Sequence, residues 1–158
     1  MARPAWTAQC TNRKLIGELL PVRRRESHKG DYGRVLLLCG SEGLTGAARL
    51  AAKAALRTGS GLVYLGVPES IWTVEAQKCV SAMPFPLPET DGRLCLAALD
   101  KMQDKLKGCD VLALGPGLGR GKETEQLVHA LLWQVKEALV LDADGINALS
   151  GHMDALSL

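Results

Sequence analysis

The chain is 158 residues long, 47% of them hydrophobic and 23% charged, with 17 glycines, 7 prolines and a formal net charge of +2. At this size a folded globule exposes about 7,700 Å² against about 24,500 Å² unfolded, which provides for one core and not for two. The composition excludes a disordered tail, a collagen-like repeat and a disulfide scaffold, and no apolar run nears the roughly 18 residues of a membrane span, Val35–Cys39 being typical of the longest.

The opening Met1–Ala8 has a basic start but no apolar core, so no secretory signal is expected and the chain reads as a soluble, cytoplasmic protein without membrane contacts. Residues 1–34 carry eight Lys/Arg and three Asp/Glu, a balance of +5, whereas the remainder balances at −3. The run Arg23-Arg24-Arg25 has the charge to touch nucleic acid, but no aromatic interleaving or base-reading motif accompanies it. Residues 1–27 are therefore read as a solvated basic lead-in, with no nucleic-acid partner. The five cysteines (10, 39, 79, 95 and 109) form no Cys-x-x-Cys pair and no zinc spacing, and Cys39, inside a strand-like run, is expected to be a small buried hydrophobe.

In chain order, Leu15–Leu20 suggests a short helix stopped by Pro21. Val35–Cys39 is continuously apolar, as a strand buried on both faces should be. Ala47–Thr58, rich in Ala and Leu, predicts a helix closed by Gly59 and Gly61. A strand over 62–67 follows, stopped by Pro68, then a short helix over 70–78 with Ser70 as N-cap. Residues 84–92 are so rich in Pro that they read as loop. Apolar residues at 96, 99, 102 and 106 predict a helix over 94–107, and the pattern then gives a strand at 110–114, a helix at 122–137, a strand at 139–142 and a final short helix. Strand–loop–helix alternation of this kind predicts an α/β fold with a parallel sheet flanked by helices.

In open α/β sheets ligands bind beyond the carboxyl ends of the strands, where free N–H groups at helix starts favour anions. The loop Gly40–Gly46 has glycines at 40, 43 and 46. The loop Gly115-Pro-Gly117-Leu-Gly119-Arg-Gly121 has four alternate glycines, more than a turn requires, and suggests close approach of a ligand to the backbone. It is not a Walker A loop, since Pro116 stands where the first glycine is needed and Glu123 follows Lys122; a Rossmann fingerprint fits no better, because the last glycine falls at 119 or 121 and not at 120. The third loop presents Asp142, Asp144 and Asn147 at one strand end, where they are expected to converge on a hydroxylated ligand or a metal held through water, although Asp144 also suits a helix N-cap. Of the histidines, His28 is placed nearest to an anion site, and His129 and His152 read as helix-surface residues.

His28-Lys-Gly-Asp-Tyr-Gly-Arg-Val35, then Gly46-Ala47-Ala48 with Ala55–Val63, Gly115–Gly119 and Leu141–Leu149 stand in one order across residues 28–149. Together they resemble the NAD(P)H-hydrate dehydratases. The resemblance implies a three-layer ribokinase-like α/β fold over residues 28–158, apparently incomplete at the C-terminus, and a metabolite-repair reaction. In that reaction ADP or ATP, with Mg²⁺, phosphorylates the hydroxyl that water has added to the nicotinamide ring of NADH or NADPH, and phosphate is then eliminated. It further implies that Ala47 and Gly117 or Gly119 contact the hydrated dinucleotide, that the protein is a homo-oligomer, and that it is fused to or paired with an NAD(P)H-hydrate epimerase.

Members of that family carry a late Gly-Thr-Gly-Asp loop that supplies the catalytic base. These 158 residues contain no such sequence, so the catalytic residue is left unassigned, no metal ligand is named, and the isolated chain is expected to be inactive. Two other classes stay open at this stage: a ribokinase-like small-molecule kinase of the hydroxyethylthiazole-kinase type, and a non-catalytic dinucleotide-binding module.

Overall fold

A computed structural model describes residues 10–156. The expectation for the extreme N-terminus, including the absence of a secretory signal, lies outside the described residues. The chain forms α1 (Arg13–Leu19), β1 (Arg34–Leu38), α2 (Thr45–Thr58), β2 (Leu62–Pro68), α3 (Glu69–Lys78), β3 (Met83–Leu87), β4 (Glu89–Thr90), β5 (Arg93–Leu94), α4 (Ala98–Lys107), β6 (Val111–Leu114), α5 (Lys122–Gln134), β7 (Ala138–Leu141) and α6 (Asp144–Asn147). No helix among these is long and apolar enough to cross a membrane.

Five strands pair in the order β3-β2-β1-β6-β7, all parallel, as the alternation predicted. The continuous apolar run of β1 is explained by helices on both sides. Leu36 and Leu38 join Leu112, Leu114, Met102, Leu127 and Leu131 beneath α4 and α5, while Leu37 and Cys39 join Val63, Leu65, Val67, Ala48 and Ile71 beneath α2 and α3. Each fully buried Leu or Val contributes roughly 1.5–3 kcal/mol relative to exposure. α2 stops where predicted, because Gly59 takes the left-handed conformation (φ 111°) and its N–H closes on Ala55 and Leu56.

The proline-rich stretch is not a plain loop. β3 runs parallel to β2 at the edge of the sheet, the one place where Pro84 and Pro86 do not deprive an inner ladder of donors. Asp91 (φ 51°) and Gly92 (φ 70°) then form the two-residue turn of the β4–β5 hairpin. Leu94 is consequently a buried strand residue, and α4 begins four residues later than predicted, at Ala98. Ser70 is not a cap: Pro68 takes the N-cap position of α3, and the Ser70 N–H and hydroxyl both donate to Glu89 Oε2, at 3.0 and 2.7 Å. α5 ends at Gln134, three residues early.

The described part of the lead-in is exposed but attached. Arg23 Nη2 donates to the Gly59 carbonyl at 2.7 Å and its guanidinium lies 4.1 Å from the centre of the Tyr32 ring. The first arginine of the basic run therefore holds the lead-in against the end of α2.

Candidate functional site

The loops after β1, β6 and β7 meet at the carboxyl edge of the sheet and are joined through backbone bonds. Gly40 N–H donates to Pro116 O (2.9 Å), Gly115 N–H to Leu38 O (3.2 Å) and Asp142 N–H to Leu114 O (3.1 Å). The hairpin tip closes over them, with Glu42 N–H donating to Gly92 O at 2.8 Å.

The alternate glycines of the second loop are explained first by this interlocking. A β-carbon on Gly115 would fall 1.8 Å from the Asp142 carbonyl oxygen. On Gly117 it would fall 2.6 Å from Ala47 Cβ, and on Gly119 it would meet Arg93 Nε at 2.9 Å and Ser41 Oγ at 3.3 Å. The sequence suggests the approach of a ligand; the groups that approach these glycines in the structure are the protein's own. Ala47 and Gly117, from two separate motifs, are thereby brought into contact.

Asp144 and Asn147 are also brought together. Asp144 Oδ2 accepts from Gly119 N–H at 2.9 Å, and its Oδ1 accepts from Asn147 Nδ2 at 3.1 Å. With Gly119, Arg120, Thr124, Glu125, Ala148 and Ser150 they line a hollow of about 290 Å³. Asp142 departs from the expected cluster. It lines a separate groove of about 490 Å³ on the α2 side of the sheet, beside Cys39 and Val140. The residue between the two aspartates, Ala143, stands at φ 47°, ψ −115°, a strained conformation for a residue with a β-carbon. β7 ends at Leu141 and α6 begins at Asp144, so the kink at Ala143 separates the two aspartates where strand alternation no longer holds. Burial, with the Asp142 carboxylate as a second cause, pushes the Cys39 thiol up to about 12, consistent with its expected role as an inert hydrophobe.

α2 and α5 both start at this edge, after Leu44 and Gly121, and neither has a side-chain cap. Their first-turn N–H groups and dipoles favour a negatively charged ligand. No group of three or more His, Cys, Asp or Glu side chains able to hold a metal stands among the described residues.

The histidines differ from expectation. His28 lies ahead of β1, at the end of the sheet away from these loops, where its Nδ1 accepts from Gly30 N–H at 3.1 Å. His129 and His152 are not independent surface residues; their rings pack edge to face at 5.2 Å, and His129 Nε2 lies 2.8 Å from Ala148 O. Sequence reasoning missed Ser41, Arg93 and Thr124. The Asp91-Gly92 pair, a type I′ turn signal, was the clue that Arg93 returns to the site.

A family model described as NAD(P)H-hydrate dehydratase matches residues 35–157. The bifunctional NAD(P)H-hydrate repair enzyme Nnr of Moorella thermoacetica is 49% identical over 132 residues, which are 83% of this chain and 25% of that protein. The ADP-dependent (S)-NAD(P)H-hydrate dehydratase of Streptococcus pneumoniae is 36% identical over 85% of this chain and 43% of its own length. Among solved structures, the ADP/ATP-dependent NAD(P)H-hydrate dehydratase of Bacillus subtilis, co-crystallised with ATP and Mg²⁺, superposes with a TM-score of 0.65 at 30% identity, covering 84% of this chain and 44% of that one. The chain thus spans about a quarter of the bifunctional relative and less than half of the two dehydratases. A match over residues 35–157 takes in every loop of the site just described, and on it the chain belongs to the NAD(P)H-hydrate dehydratase family.

Proposed function

We propose that residues 28–158 form the dinucleotide-facing part of an ADP-dependent (S)-NAD(P)H-hydrate dehydratase, with residues 1–27 as its lead-in. The hydrated NADH or NADPH lies along Ala47, Gly117, Gly119, Asp144 and Asn147, with Asp142 on the far side of the Ala143 kink. The observation that carries this reading is the meeting of Ala47 with Gly117, and of Gly119 with Asp144, at one edge of the sheet beside two uncapped helix starts.

The chain's own residues bind and orient. The first turns of α2 and α5 attract the phosphates, and Asp144, already accepting from Gly119 and Asn147, fixes the loop against which the substrate rests. ADP or ATP, accompanied by Mg²⁺, supplies the phosphoryl group to the added hydroxyl, and phosphate leaves to restore the reduced ring. The base for that transfer is outside these residues, which contain no Gly-Thr-Gly-Asp. The activity pairs with an NAD(P)H-hydrate epimerase, and the working protein is a homo-oligomer in the cytoplasm.

The test has two arms on the full chain. Titration with hydrated NADH should show saturable binding. Incubation with hydrated NADH, ADP and Mg²⁺ should show no return of reduced-nicotinamide absorbance. Binding without turnover supports the assignment. Turnover would place the base within these residues, and absence of binding would overturn the reading.

A further inference from the structure

Two polar side chains at the site's edge have chemistry that the loop contacts leave unused. Ser41 follows Gly40 at the end of β1 and is 2% exposed, yet no hydrogen bond among the described residues engages its hydroxyl. The Oγ is not one of the fully buried polar atoms left without a partner, so it keeps an accessible surface through which a ligand can reach it. Arg93 lies against the same glycine from the other direction. Its Nε and Cδ come within 2.9 and 3.0 Å of the β-carbon position of Gly119, where Ser41 Oγ is at 3.3 Å. The guanidinium has five N–H donors, of which one, on Nη1, donates to the Asp91 carbonyl at 3.2 Å. No carboxylate forms an ion pair with it among the described residues.

The hairpin that carries Arg93 is fixed on both sides. Gly92 O accepts from Glu42 N–H at 2.8 Å, the Thr90 hydroxyl donates to Glu123 Oε2 at 2.8 Å, and the buried Thr124 hydroxyl donates to Leu94 O at 2.8 Å. These bonds hold the residues on either side of Arg93, so little ordering remains to be done when a ligand arrives. Of the acidic groups around the hairpin, Asp144 accepts from Gly119 and Asn147 and Glu123 from Thr90, while Glu42, whose Oε2 lies 2.6 Å from the β-carbon position of Gly92, forms no ion pair with Arg93.

We propose that Ser41 and Arg93 form a phosphate subsite of the dinucleotide site, with Arg93 giving a forked, charge-assisted contact and Ser41 a hydroxyl donor beside Gly119. The inference rests on the reading that a hydrated dinucleotide binds at these loops. It adds a group class and two residues, Ser41 within the Gly40–Gly46 loop and Arg93 outside all three loops. The phosphate is either the diphosphate common to NADH and NADPH or the additional phosphate of NADPH, and the two sources are separable.

The experiment measures dissociation constants of hydrated NADH and hydrated NADPH for the full chain and for Arg93→Met, Arg93→Lys and Ser41→Ala. Loss of a charge-assisted contact predicts a roughly 10- to 100-fold weaker affinity for Arg93→Met, partly recovered in Arg93→Lys. Ser41→Ala should weaken binding about 3- to 10-fold while leaving the melting temperature unchanged or raised, a combination that a merely structural serine does not give. Equal losses for both ligands identify the diphosphate, and a loss confined to hydrated NADPH identifies its extra phosphate. Should Arg93→Met fail to fold, Arg93→Lys and Ser41→Ala decide the matter. If the unsubstituted chain binds both ligands and the folded variants bind them equally well, the subsite is overturned and the dinucleotide reading stands. If the unsubstituted chain binds neither, both fall.

Discussion

The two flanks of the sheet are written in the same apolar alphabet and are covered differently. On the β2–β1 flank Val63, Leu65 and Val67 are fully buried beneath α2 and α3, and the opposite face of β1 packs under α4 and α5. On the β6–β7 flank, Leu139 and Leu141 pack toward α5 while Val140, between them, is 55% exposed. Val111 and Ala113 of β6 are likewise only half-buried on that side. A purely parallel sheet ordinarily has both faces covered, so an apolar strand sequence states only that a face is suited to burial. What buries it is decided by helices elsewhere in the chain.

The sharpest way to break that contrast is to hollow out the covered flank. Leu65→Ala should cost about 2–5 kcal/mol in chemical denaturation, through lost transfer energy and a residual cavity. A cost under about 1 kcal/mol, by contrast, would mean that α2 and α3 do not seal this side.

The covered flank also holds its own defect. Glu75 of α3 is fully buried with Oε1 unpartnered, close to an Arg49 whose Nε is also unpartnered. Burial raises its carboxyl pKa, with the Arg49 charge opposing. A group whose pKa is raised on folding contributes stability below its unfolded value of 4.5 and loses it as pH rises through the folded value. Glu75→Gln should therefore match the parent near pH 4 and surpass it as pH climbs to 8, which thermal melts across that range would show. Parallel curves for the two proteins would contradict the assignment.

On the open flank the expected effects are smaller. Ala143→Gly releases the strain of φ 47° at the cost of a more flexible unfolded chain, for a net gain of about 1 kcal/mol. Its destabilisation would mean that the kink is not strained. Val140→Thr should change stability by less than about 0.5 kcal/mol; a loss several times larger would show that the face is covered in solution.

How much of this was legible in the sequence follows from the same physics. β1, β2, β6 and β7 announce themselves as apolar runs punctuated by Gly and Pro, and α2 by its alanines and terminal Gly59. The β3–β4–β5 region was hidden because its prolines outweigh its strand character in any local reading, and only its edge position makes Pro84 and Pro86 tolerable. The glycine spacing of 115–119 suggests the approach of a ligand, whereas Ala47, Ser41, Arg93 and Asp142, all distant in sequence, are the groups that approach it in the structure. The separation of Asp142 from Asp144 depends on one backbone angle at Ala143, to which side-chain pattern is blind.

The most direct measurement is a backbone amide NMR titration of the chain with hydrated NADPH. The account predicts saturable shifts concentrated at Ala47, Gly117, Gly119, Asp144 and Asn147, with little change at His28 or along the lead-in. Saturable binding whose shifts fall at the opposite end of the sheet, or no binding at all, would contradict it.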